Sequence, residues 1–359
     1  MKFIYRYILL IIAIALCSCS RNEAHEAVVD DVDVPISLAC SLQPVTRAYT
    51  ATQGVQIADG RTISVWCDEH ADKTDATNHA GDAVDYVKGW QLTVNSGALS
   101  GTNTYYYPKP LDSRIDIYAL HGNFNNTITE GTTTWDAFNT ALTHTVETDQ
   151  SATGNLEKSD LLYSVNHNVV KSKNAQTLTF KHLMSKIEIY LLSGSGISQA
   201  DLQDADVKVE ILNTMLTAGI TLSKTAATSS TVTASGTIDA TTLNAINARK
   251  QTDNTATVDI PDPSNPGNTM PVNAYTFAEA IIVPQMFDTN RDGTGTGMEL
   301  IQVTLSDSSK RKTKPATFVF LPGKRYVFNV TVNAQNLELS TQITDWDKDT
   351  LVPIDIPAL

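Results

Sequence analysis

Short runs rich in Val, Ile, Thr, Phe and Tyr recur along most of this chain, each bounded by clusters of Gly, Asn, Asp, Ser or Pro. This pattern restricts the fold more than any other feature. Branched and aromatic residues suit a pleated, half-buried surface, and the residues between the runs suit turns. Strands are predicted over 63–67, 86–94, 114–120, 161–165 and 178–192 in the first half, and over 207–212, 218–222, 275–284, 300–305, 316–321 and 325–332 in the second. In the last of these, Tyr326, Phe328 and Val330 share one face while Val327 and Asn329 share the other, the alternation of a sandwich strand with one wet side. Two pieces read as short helices: 134–143, around Trp135, Phe138 and Leu142, and 241–250. The expected fold class is all-β.

A chain of 359 residues suits two domains of about 150 residues each. Hydrophobic content of 42% with 18% charge is that of a globular protein able to bury real cores. Ser193-Gly194-Ser195-Gly196, near the midpoint, predicts the boundary between β-sandwiches over 48–195 and 196–359, and Asp262 to Asn268 predicts a surface loop inside the second. The net charge of −13 excludes nucleic acid as a partner, because phosphates require a basic face.

The start of the chain carries Lys2 and Arg6, then an apolar run over 7–16 that ends in Leu16-Cys17-Ser18-Cys19. That run is far short of the roughly 20 residues that span a bilayer. Ser18 and Leu16 satisfy the small and aliphatic positions needed for cleavage before a lipidated cysteine, so residues 1–19 are expected to be a lipoprotein signal peptide with the acyl anchor on Cys19. Cys17 fails the same test, with Leu16 beside it. Residues 20–33, with Glu23, Glu26, Asp30, Asp31 and Asp33, are too poor in apolar side chains to pack and read as a tether. Outside the leader only Cys40 and Cys67 could pair, so no disulfide framework is implied, and Cys67 is expected in a buried strand.

Catalysis has no visible address. The chain lacks a nucleophile elbow, a zinc-protease helix motif and a phosphate-binding loop, and its seven histidines are scattered. His182, between Lys181 and Leu183, is expected at a core edge with its ring hydrogen-bonded. Asp68-Glu69-His70-Ala71-Asp72, with His79 and Asp82, reads as a solvated hairpin tip. The sharpest local motif runs from Asp288 to Glu299. Asp288, Asn290, Asp292 and Glu299 occupy calcium-loop positions one, three, five and twelve, with Gly293 at the sharp turn. Gly295 stands where that loop carries an apolar residue, and the flanks read as strands, so a turn-rich hairpin accounts for the same letters. Calcium is the one cofactor the sequence raises.

Several landmarks taken in order resemble the fimbrillin family of Bacteroidales: Cys19, Val45-Thr46-Arg47-Ala48, Ser159-Asp160-Leu161-Leu162-Tyr163, and the run from Leu178 to Ile187. Ile281-Ile282-Val283-Pro284-Gln285, Leu321-Pro322-Gly323-Lys324-Arg325-Tyr326 and Ile343-Thr344-Asp345-Trp346 continue the order. The resemblance implies a pilus subunit of two tandem transthyretin-like β-sandwich domains and no enzymatic activity. It implies export to the outer membrane as a surface lipoprotein, and cleavage between Arg47 and Ala48 by an arginine-specific protease, so that 20–47 is a propeptide. Loss of an N-terminal strand then opens a groove that a strand from another fimbrillin subunit fills, through edge pairing.

The residues themselves can support such a scheme. Val34, Ile36 and Leu38 alternate with Pro35, Ser37 and Ala39, as expected of a displaceable strand. At the other end Val352, Ile354 and Ile356 fall on one face of 351–359. Pro353 and Pro357 confine that segment to an edge or an inserted donor. It either donates to a neighbour or completes its own domain. The rival from a different class is a monomeric surface lipoprotein that binds glycan or protein through its loops, with Trp90 and Tyr105-Tyr106-Tyr107 as stacking surfaces.

Overall fold

In the computed structural model the described residues are 33–42, 57–70, 83–109, 113–235, 244–251, 257–261, 268–287, 298–315, 317–345 and 352–353. The protein is mostly β, with several sheets. In the first half, β1 (Leu38–Leu42), β2 (Thr62–His70), β3 (Val84–Asn95), β4 (Ala98–Ser100) and β5 (Arg114–His121) precede β6 (Leu142–Thr145), β7 (Leu162–Val170) and β8 (Gln176–His182). All but β6 form a closed barrel in the order β1-β4-β3-β2-β5-β7-β8. Where the sequence predicts a two-sheet sandwich, parallel pairing of β1 with β8 closes these strands into one barrel.

Alternation decides which side chains enter the barrel. Ile63, Val65 and Cys67 of β2 and Ile115, Ile117 and Ala119 of β5 point into its interior, with Val87, Leu92, Leu178 and Phe180. The intervening residues Trp66, Tyr118 and Leu120 point outward into a second, larger core. There Trp66 packs against Trp135 and Phe138 of a short helix, α1 (Trp135–Asn139), with ring centroids 5.4 and 4.5 Å away. Thr134 caps α1 by accepting the Ala137 N–H. The helix predicted over 134–143 is therefore shorter, and its end, Leu142, belongs to β6. Opposite Trp66, strand β3 bulges at Lys88-Gly89. Gly89 has φ +62°, and a Cβ there would lie 2.6 Å from Ile128 Cγ2, so only glycine lets that loop cover Trp66.

The second half adds β9 (Ser185–Ser193), β10 (Lys208–Leu212), β11 (Thr217–Thr221), β12 (Thr231–Ser235), β13 (Ala245–Asn247) and β14 (Arg249–Gln251). After these come β15 (Thr257–Pro261), β16 (Thr269–Asn273), β17 (Thr276–Ile282), β18 (Met286–Phe287), β19 (Ile301–Thr304) and β20 (Lys310–Thr313). The last are β21 (Phe318–Val319), β22 (Lys324–Val332), β23 (Leu337–Asp345) and β24 (Val352–Pro353). The largest sheet runs β14-β17-β9-β22-β23-β24, and β13-β10-β19-β20 and β12-β11-β6 form smaller ones.

Three expectations are corrected here. The run 178–192 is two strands in different sheets, since Leu183-Met184 ends β8 and begins the crossing to β9. That crossing is pinned by Leu183 N–H to Leu161 O and Gly323 N–H to Met184 O, both 2.9 Å. The change of sheet thus precedes the Ser193 to Gly196 stretch, and β6 pairs with β11 across any boundary drawn there. The described part of 241–250 is strand rather than helix: Ile246 is fully buried against β10, and Arg249 pairs with Glu279. Finally, β22 has no wet side. Arg325, Val327 and Asn329 are buried too, at 3 to 6% exposure, and Asn329 Nδ2 donates to Asp259 O, bringing the β15–β16 ribbon to that face.

The covered face carries a ladder of charges. Lys186 Nζ lies 2.8 Å from Glu188 and 2.9 Å from Glu279, Arg249 pairs with both Glu279 and Glu157, and Arg325 lies 3.7 Å from Glu188. Arg61, just before β2, reaches Glu157 at 3.8 Å. Burial alone would raise the Glu279 carboxyl, but Lys186 and Arg249 hold it below its ordinary value.

Candidate functional site: the barrel-closing strand

Residues 33–42 enter the barrel as its outermost segment in sequence. Val34, Ile36, Leu38 and Cys40 are all 5% exposed or less, while Pro35 and Ser37 face solvent. The period-two pattern is thereby realised as a row of side chains inserted into the barrel interior. Both edges of the segment are used. On one side Ile36 N–H donates to Tyr105 O, Tyr107 N–H to Val34 O and Cys40 N–H to Gly97 O, at 2.8 to 2.9 Å. On the other, β1 runs parallel to β8 from Leu38↔Gln176 to Leu42↔Phe180, and Gln176 N–H donates to Ser37 O. Pairing with β4 covers only Leu38 and Ala39, so β8 is the main partner.

The interior beneath the strand is apolar and buried. Burial pushes the Tyr107 phenol up to about 12, with a further contribution from Cys67. The same desolvation raises the thiols of Cys40 and Cys67, which are buried and unpaired. Trp90 and Tyr107 belong to this core at 4% and 3% exposure, so the stacking surface expected of Trp90 and Tyr105 to Tyr107 reduces to Tyr105, half-buried against Trp90, and an exposed Tyr106.

Val34, Ile36 and Leu38 are the predicted site residues that the structure brings together. Cys19, Arg47, Ala48, Asp288, Asn290, Asp292, Ile354 and Ile356 lie outside the described residues. Leu42 and Ile57 bracket the segment that holds Arg47, so 33–42 is joined covalently to the following barrel strands through that segment. Val352-Pro353, as β24, pairs antiparallel with Ile343 and Gln342 at the edge of the large sheet. The backbone O of Glu299, flanked by β18 and β19, accepts from Asn213 Nδ2. Among the described residues no group of three or more His, Cys, Asp or Glu is arranged to hold a metal ion, and no helix is long and apolar enough to cross a membrane.

His182 sits as expected, 8% exposed with Nδ1 2.7 Å from Asp160 Oδ2. Of the hairpin tip predicted over 68–72 with His79 and Asp82, residues 68–70 are instead the end of β2, where Asp68 and His70 are each 2% exposed, and Ala71, Asp72, His79 and Asp82 lie outside the described residues. Sequence reasoning missed the partners of the closing strand, Gly97, Tyr105, Tyr107 and Gln176. They act through backbone groups, which leave no side-chain signature.

The sequence profile of the Fimbrillin-like family matches residues 46–346. The chain belongs to that family. It is accordingly a fimbrillin-like protein of the cell surface, from a structural and adhesion family that is not enzymatic. Among solved structures, it resembles a putative cell adhesion protein from Bacteroides ovatus at 16% identity and TM-score 0.54, covering 89% of this chain and 100% of that one. Another, from Bacteroides uniformis, is 18% identical at TM-score 0.51, covering 87% and 98%. These likenesses support the fold. No curated protein sequence matches the chain.

Proposed function

We propose that this protein is a pilus subunit supporting adhesion, exported as a lipoprotein anchored through Cys19, cut after Arg47 by an arginine-specific protease, and assembled by strand exchange. The barrel and the large second sheet are, in this reading, the cores of tandem transthyretin-like domains. One observation carries the proposal: the segment before Arg47 supplies four buried side chains and, among the described residues, the only link between β8 and β4. Cleavage would leave that segment held by non-covalent contacts alone. Its departure would uncover Val34, Ile36 and Leu38 pockets worth roughly 1.5 to 3 kcal/mol each, and a donor strand would recover them. Residues 351–359, with Val352, Ile354 and Ile356 on one face, are the proposed donor.

The pairing of β24 with β23 favours a second reading, in which the tail completes its own sheet and the chain is a fimbrial tip or a monomeric lipoprotein. Limited trypsin digestion of protein starting after Cys19, followed by mass spectrometry and size-exclusion chromatography, separates the two. A cut after Arg47 followed by ladder-like oligomers, lost on deletion of 351–359, is the expected result. Cleavage that leaves a monomer supports the second reading, and resistance at Arg47 removes the processing step.

A further inference from the structure

Away from the closing strand, a polar cluster lies on the outer face of β2, β5 and β7. A β-bulge places two residues of β7, His167 and Asn168, opposite the single residue Asp116 of β5. Asn168 has φ +56°, and its N–H donates to Asp116 Oδ1 at 2.7 Å. His70 Nε2 approaches the same oxygen at 3.3 Å, and His167 Nδ1 lies 3.1 Å from Oδ2. The other ring nitrogen of His167, Nε2, is 2.8 Å from the carbonyl O of Thr225, which follows β11. Two neighbours strengthen this junction: Lys224 Nζ lies 2.5 Å from Asp68 Oδ2, and Tyr163 OH donates to Ser223 O at 2.9 Å. The barrel therefore grips residues 223–225 through three side chains.

A carbonyl oxygen can only accept, so Nε2 of His167 must carry a proton. That leaves Nδ1 facing a carboxylate, where a lone pair would be repelled and a second proton attracted. We infer that His167 is an imidazolium bridging Asp116 and the Thr225 carbonyl, and that its protonation latches the 223–230 segment to the barrel. The titratable and charged groups around it are Asp116 and Tyr118 on β5, Asp68 and His70 on β2, Tyr163 on β7, and Lys224 on the docked segment.

The charge environment agrees with the geometry. The Asp116 contact raises the His167 pKa against the opposing effect of burial. Burial would raise the Asp116 carboxyl, but His167, the Asn168 N–H and His70 together lower it. A histidine whose folded value is raised contributes stability fully present below about 6.5 and lost as the pH rises through its folded value. Loss of the Nδ1 proton sets a lone pair against Asp116 Oδ2 and removes the charge that strengthens the Nε2–H bond to Thr225, so the latch is tight in mild acid and loosens toward alkaline pH. His167 lies on β7, which β8 separates from β1, and its contacts are on the outer face, away from the interior that the closing strand fills.

The test uses the full exported chain. Nitrogen-15 spectra of the His167 ring, recorded from about pH 5.5 to about pH 9, should show both nitrogens protonated at the acid end and one deprotonating step. Hydrogen exchange of 223–230, corrected for the chemical rate, should lose protection several-fold across that same step. His167→Gln should give low protection at every pH, whereas Lys224→Met should lower protection but keep the step. A neutral ring at the acid end, a flat exchange profile in the wild type, or a step that survives in His167→Gln overturns the latch. If His167→Gln does not fold, the ring spectra and exchange profile of the wild type decide alone.

Discussion

Replacing Glu279 by Gln keeps the shape of the side chain and removes one negative rung from the ladder over the large sheet. Glu279 is 4% exposed and meets Lys186 at 2.9 Å and Arg249 at 2.5 Å. Removing one member of a buried ion pair costs about 3 to 5 kcal/mol, because the partner is left charged in a medium that solvates it poorly. Lys186 retains Glu188 and Arg249 retains Glu157, so the expected loss is at the lower end, about 3 kcal/mol. At about 2 to 4 °C per kcal/mol for domains of this size, Tm falls by roughly 6 to 12 °C. The pH dependence adds a second reading. A carboxyl held below its unfolded value gives stability that is present above about pH 4.5 and lost as the pH falls through its folded value. The wild type should therefore lose part of its Tm in acid, and E279Q should lose less. Replacing Lys186 by Met and Glu279 by Leu together removes a balanced pair, leaving Glu188 with Arg325 and Arg249 with Glu157, and should recover most of the loss. Differential scanning calorimetry from about pH 3 to about pH 7.5 measures all of this. A loss below about 1 kcal/mol for E279Q, or a double variant weaker than the single one, would refute the claim that the ladder is desolvated and mutually compensated.

Ile36→Ala leaves a hole beneath the closing strand and should destabilise the uncleaved protein by about 2 to 5 kcal/mol in urea unfolding. After a cut past Arg47 and release of the N-terminal segment, variant and wild type become the same molecule and should unfold alike. Trp135→Ala removes a ring stacked on Tyr163 at 5.8 Å and packed against Trp66, and should cost about 3 to 5 kcal/mol, read from the same unfolding curves. Cys67, fully buried with its thiol pushed up by desolvation, should react with a thiol reagent only at the rate of opening, and stopped-flow labelling in rising urea checks this.

The sequence announced what depends on local alternation. Ile63 to Cys67, Arg325 to Val332 and the Val34-Ile36-Leu38 row each carry the period of a strand, and each forms a strand or a strand-like segment. It did not announce what depends on long-range contacts. Leu178 to Leu192 reads as one apolar run, and only the two sets of partners show that the chain changes sheet at Leu183-Met184. Asp68 and His70 carry charge and so read as surface, yet their partners are Lys224 and Asp116, 156 and 46 positions away. Periodicity contains no record of such pairings. Neither does it record β1 closing a barrel, because the strand on its parallel side, β8, follows it by more than a hundred residues.

The two-residue crossing between β8 and β9 also has a mechanical meaning. β8 borders the closing strand, and β9 lies between β17 and β22 inside the large sheet. In a fibre assembled by replacing the closing strand, tension applied to the incoming strand would be shared by its β8 hydrogen bonds acting in shear. It would then pass through Leu183-Met184 into the interior of the second sheet without crossing a slack loop. The subunit would bear load as a continuous strand rather than as two beads on a string.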